Sequence, residues 1–112
     1  MSLYFIETQA FTRRVQALAL ESGVPSLQAE LAANPERGVL DPGTDGLRKV
    51  RMLDVARGKG KRSGARVHYL YLPAHRVVYL IFVYGKHEQI SLTASQKKQL
   101  RAVVDSIRAE WR

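Results

Sequence analysis

The spacing of apolar residues along this chain switches between the alternation of a strand and the three-to-four repeat of a helix. Leu3-Tyr4-Phe5-Ile6 is short and β-rich and predicts an opening strand. Thr8 then stands where a helix N-cap belongs, ahead of Phe11, Val15 and Leu18 at i, i+4 and i+7. Ser22-Gly23 stops that helix. Pro25 suits the first turn of a second helix, which carries Leu27, Leu31 and Ala32 inward and ends at Asn34-Pro35. The pair predicts an antiparallel helical hairpin. Residues 34–46, with two prolines and three glycines, read as a loop.

Three strand-like runs follow, Leu47–Leu53, Arg66–Leu72 and Val77–Tyr84, and short connections favour antiparallel neighbours. The run from Val77 to Val83 is apolar on both faces and predicts the central strand. Thr93-Ala94-Ser95-Gln96 fits a capping box. Beyond it Leu100, Val103, Val104, Ile107 and Trp111 form one apolar stripe of a C-terminal helix. The order β-αα-βββ-α predicts an α+β fold, a twisted and mostly antiparallel sheet with helices on one face, over residues 1–112 as a single domain.

Charge changes this picture from a generic small fold to one with a polarity. The net charge is +8 over 112 residues, but it is segregated. Residues 1–46 hold three Lys/Arg and six Asp/Glu, whereas residues 47–112 hold fifteen and four. Leu47–Arg66 alone carries eight Lys/Arg against one acid, Asp54. A basic half of this kind fits a polyanion such as RNA or DNA, or an acidic protein partner, better than a uniform solubility charge. The absence of cysteine excludes disulfides, thiolate metal sites and cysteine nucleophiles. No apolar run approaches a membrane span and no signal-peptide pattern opens the chain, so the expected location is the cytoplasm, away from membranes.

Alternation sorts the cations by face. Lys49 and Arg51 point one way on the first basic strand, about 7 Å apart at a strand rise of about 3.3 Å per residue, while Arg48 points the other way. Arg66 opens the next strand with His68 on the same face. If the strands are antiparallel neighbours, Arg66 falls beside Lys49 and Arg51. Arg grips phosphate bidentately and keeps its charge, whereas a crowded Lys can act as a base. Tyr84-Gly85-Lys86-His87-Glu88 offers acid and base groups without metal-ligand spacing. Arg57, Lys59, Lys61 and Arg62 lie on a Gly-rich stretch that lacks the spacing of a phosphate P-loop and, like Arg48, are candidates for phosphate neutralisation. Each feature also has a plain structural reading: solvated strand charges, a solvated hairpin loop, a Tyr ending the core and a Glu88 paired with Lys86 or Arg51.

The chain resembles the RelE/ParE superfamily of toxin components, closest to HigB-like toxins. The resemblance rests on Phe5–Thr8 (FIET), Ala32–Gly38 (AANPERG), Pro42–Arg51 (PGTDGLRKVR), Gly58–Tyr71 (GKGKRSGARVHYLY) and Tyr84–Thr93 (YGKHEQISLT) in that order. It implies a toxin of a type II toxin–antitoxin pair that cleaves mRNA in the ribosome without metal or other cofactor. The ribose 2′-OH attacks the adjacent phosphate and leaves a 2′,3′-cyclic phosphate. It also implies a cognate antitoxin, often of helix-turn-helix type. Matched position by position, the resemblance and the chemistry together make Lys49 the base and Arg51 and Arg66 the phosphate clamps. Lys86 or His87 becomes the acid, and Tyr84 and Glu88 become supporting residues. Ser91 stands where the HigB-like pattern usually has an acid. Two other readings share these residues: a ParE-like gyrase inhibitor and a non-catalytic nucleic-acid-binding module.

Overall fold

The computed structural model describes residues 2–53 and 64–112. Strand β1 (Tyr4–Glu7) leads into helices α1 (Gln9–Ala17) and α2 (Val24–Ala33). Strands β2 (Val39–Leu40), β3 (Arg48–Met52), β4 (Ala65–Leu72) and β5 (Val77–Gly85) follow, and α3 (Ala94–Glu110) closes the chain. The five strands form one sheet in the order β1-β5-β4-β3-β2, parallel only between β1 and β5. The starts of α1 and α3 are capped as the sequence predicts. Thr8 Oγ1 accepts from the Phe11 N–H, and the Thr93/Gln96 capping box is complete.

Four expectations change. Val39–Leu40, read as loop, forms a two-residue edge strand against Arg48 and Lys49. Ala32 faces solvent, and Leu20, just past α1, takes an inward place instead. The strand from Val77 to Gly85 is an inner strand, but the middle of the sheet is β4. Helices also cover both faces of the sheet rather than one. Phe11, Val15, Leu27 and Leu31 of α1 and α2 pack with Val50, Met52, Val67, Tyr69, Val78 and Leu80. Leu100, Val104 and Ile107 of α3 pack with Leu70, Leu72, Val77, Tyr79 and Ile81 on the other face. A strand that is apolar on both sides needs cover on both sides, and a single layer of helices leaves one set exposed.

A register shift where β4 and β5 meet at His68/Tyr69 leaves Ile81 without a cross-strand partner. Its carbonyl accepts the Thr8 hydroxyl at 2.9 Å, and the Val83 carbonyl accepts Arg14 Nε at 3.0 Å. These bonds cap the stretch of β5 that extends beyond its pairing with β1, which ends at Leu80.

The turn after α2 is tied to the sheet through Tyr69. Its buried hydroxyl donates to the Pro35 carbonyl at 2.7 Å and accepts the Gly38 N–H at 2.9 Å. Gly38 has no room for a side chain, because a Cβ would fall 2.8 Å from the Tyr69 ring. Tyr69→Phe strands both backbone groups, and an unpaired buried donor or acceptor costs about 1–3 kcal/mol. A urea titration should show that loss of stability. No loss would mean that water replaces the hydroxyl.

Candidate functional site

The period-two pattern of β3 and β4 builds one basic face. Residues that alternate with its cations, Val50, Met52 and Val67, are buried against α1 and α2, so Lys49, Arg51 and Arg66 are forced to the opposite side. Antiparallel pairing sets Arg51 directly across from Arg66 and Lys49 across from His68. The sequence expectation that Arg66 lies beside Lys49 and Arg51 therefore agrees with the register. Lys49 and Arg51, with Asn34, Arg37 and Val39, line an open groove at the β2 side. The positions Arg57, Lys59, Lys61 and Arg62 lie outside the described residues.

Arg66 is partly buried, and its Nη1 donates to the Gly64 carbonyl at 3.2 Å. Burial and the neighbouring Arg51 charge hold its pKa below the ordinary guanidinium value, against an opposing pull from Tyr84. Tyr84 is its cross-strand neighbour on β5 and is fully buried, with its hydroxyl donating to the Ile90 carbonyl at 3.3 Å. Burial raises the Tyr84 pKa, and Arg66 only partly offsets this.

The remaining sequence candidates stand elsewhere. Arg48 is on the α1–α2 face, where its guanidinium donates to the Gly38 carbonyl at 2.8 Å and to Glu36. Glu88 pairs with neither Lys86 nor Arg51. It accepts the Gly85 N–H at 2.8 Å and an Nη2–H of Arg14, and so closes the turn after β5. Burial disfavours its carboxylate, but the Gly85 hydrogen bond and the Arg14 charge outweigh that and hold its pKa below the ordinary value. The His87 imidazole lies where a Gly85 side chain would project, on the side opposite Tyr84. Lys86 is exposed in the same turn.

The sequence reading assigned no role to a buried pair beneath the basic face. His68 is fully buried, and its Nε2 lies 2.7 Å from Asp41 Oδ2. Asp41 begins a segment held on α3 by cations. Lys97 Nζ donates to the Pro42 carbonyl at 2.9 Å and lies 3.7 Å from Asp41 Oδ1. Arg101 donates to the Gly43 carbonyl at 2.7 Å and Arg108 to the Asp45 carbonyl at 3.0 Å. A histidine at an inward strand position was the available signal for such a partner, though not for which residue it would be.

No protein-family profile matches the sequence. The fold itself is RelE-like. Among solved structures, the chain is similar to the free state of a double arginine-to-alanine mutant of the E. coli toxin RelE. The TM-score is 0.51 at 17% identity, over 80% of this chain and 88% of that one.

Burial lowers the His68 pKa, with Lys49 and Lys97 adding to the effect and Asp41 opposing it. As pH falls, the unfolded chain therefore takes up this proton before the folded one does. The contribution of a neutral His68 is whole above its ordinary value of about 6.5 and is lost as pH falls through that value toward the folded one. Unfolding free energy should decline as pH falls below about 6.5 in the wild type and decline less in His68→Gln. Equal slopes in the two proteins would show that His68 carries no such linkage.

Proposed function

We propose that this chain is the toxin of a type II toxin–antitoxin pair and acts as a metal-independent endoribonuclease on mRNA at the ribosome. The observation that carries this reading is the direct cross-strand opposition of Arg51 and Arg66, with Lys49 on the same face of a RelE-like sheet. Like charges directly opposite one another destabilise a sheet. An Arg facing an Arg beside a Lys breaks that pattern, and local rules are broken in this way mainly at functional sites. A phosphodiester placed over the face relieves the repulsion.

In this reading Lys49 accepts the proton of the ribose 2′-OH. The 2′-oxygen forms a bond to the adjacent phosphorus, and Arg51 and Arg66 stabilise the charge on the non-bridging oxygens. The bond from phosphorus to the 5′-oxygen breaks, and that oxygen takes a proton from the turn after β5. The orientation of His87 against Gly85 supports Lys86 as the donor. Tyr84 flanks Arg66 across the β4–β5 pairing, and Glu88 holds the turn. The products are a 2′,3′-cyclic phosphate and a free 5′-OH. A cognate antitoxin, of helix-turn-helix type by resemblance, is the protein partner, and the cytoplasm is the setting.

Induced expression should produce cuts within translated mRNA that end in 2′,3′-cyclic phosphate. Lys49→Ala should lower the cleavage rate by about 10²–10⁴ and Arg66→Ala by about 10²–10³, with both variants folded. Wild-type cleavage in both would move the site elsewhere. Growth arrest without cuts would favour a protein target such as gyrase.

A further inference from the structure

Asp41 and His68 come from strands that are not neighbours. Asp41 directly follows β2, and its N–H donates to the Leu47 carbonyl at 2.9 Å, extending the register of Val39 with Lys49 and Leu40 with Arg48. His68 is on β4, opposite Lys49. β3 runs between them. The 2.7 Å contact of Asp41 with His68 Nε2 therefore crosses β3 diagonally, over the backbone between Leu47 and Lys49.

We infer that Asp41 and His68 form a positioning strut for Lys49. Val39 flanks Lys49 on one side and His68 on the other, and the strut ties His68 to the residue two beyond Val39 while filling the face on the Leu47 side. The Lys49 side chain is thereby confined to the Arg51–Arg66 end. Neither strut residue is a catalytic residue, since His68 is fully buried and acts through its neighbour. Among the described residues His68 Nδ1 has no hydrogen-bond partner and is buried, which fits a neutral ring that donates from Nε2 to Asp41 and keeps a bare lone pair at Nδ1. The groups that face this ring are Asp41 after β2, Lys49 on β3, Lys97 on α3 and Tyr84 on β5, whose ring centroid is 6.0 Å away.

The inference rests on the reading of Lys49 as the base, so the test has one arm that needs no activity. Asp41→Leu/His68→Val replaces the strut with apolar volume, a change that buried polar pairs often tolerate. His68→Leu cuts the bond alone, and His68→Gln keeps an amide donor for Asp41. In the activity arm, kcat for RNA cleavage should fall about tenfold to a hundredfold in the first two variants, with KM nearly unchanged, because a small misplacement of a reacting group has this effect. His68→Gln should recover the rate but lose the acid-side inflection of the pH profile. In the second arm, the Lys49 Cε–Hε signals of the wild-type chain should shift as His68 titrates and should not shift in His68→Gln. Wild-type kcat and pH profile in the double variant or in His68→Leu would overturn the strut. A wild type that cleaves no RNA would refute the proposed function instead, and the resonance arm alone would then decide: a Lys49 signal blind to His68 refutes the strut.

Discussion

Strand β4 is the constraint on which the site depends, because one face of it does two jobs. Arg66 and His68 share a side of the sheet with Leu70 and Leu72, one residue in every two. At the Leu70–Leu72 end that side is roofed by α3, and at the other end it carries Arg66 of the basic face. The strand passes from core to site without changing face. His68 stands at the crossing point, and a polar side chain buried there has to find a partner. Asp41 supplies it and brings the 41–46 segment to the boundary.

This arrangement also divides the positive charge of the chain. The +11 of residues 47–112 invites a single reading, a polyanion surface, but several of those cations hold the fold together. Lys97, Arg101 and Arg108 hold carbonyls of the 41–46 segment, and Arg48 holds those of Glu36 and Gly38. Backbone carbonyls without helix or ladder partners need donors, and long basic side chains on α3 reach them while their stems cover apolar surface. Net charge alone therefore overstates the size of the candidate interface. On the face shared by β3 and β4 the cations among the described residues are Lys49, Arg51 and Arg66.

How much of this was legible in the sequence follows from how local each signal is. The C-terminal helix was legible to its first hydrogen bonds, because a capping box and an apolar stripe are both short-range patterns. The basic face was legible because strand alternation and antiparallel register are themselves periodic. Strand β2 was not legible, since two exposed residues carry no period. Tyr69 and Arg48 hold the approach to it from far along the chain. Helices on both faces were foreshadowed by the run from Val77 to Val83, whose apolar residues on both sides require two covers. The Asp41–His68 pair was hidden for a different reason. It joins side chains 27 residues apart that no local period relates, and only the diagonal across β3 brings them together.

The same logic explains why cations that repel one another can be held in a fixed group at all. On a loop, Lys49, Arg51 and Arg66 would move apart at little cost. On β3 and β4 each of them alternates with a residue locked into the core on the other side, such as Val50, Met52, Ala65 and Val67. Turning a cation away from the face would pull its neighbours out of the core or slip the register by one residue, which would expose the whole apolar set. The burial of that set is worth roughly 1.5–3 kcal/mol for each large side chain, more than the fraction of a kcal/mol to about 1 kcal/mol at stake in a like-charge cross-strand pair. The core on one side of the sheet thus enforces the strained charge pattern on the other, which makes the basic face a property of the packing rather than of the cations themselves.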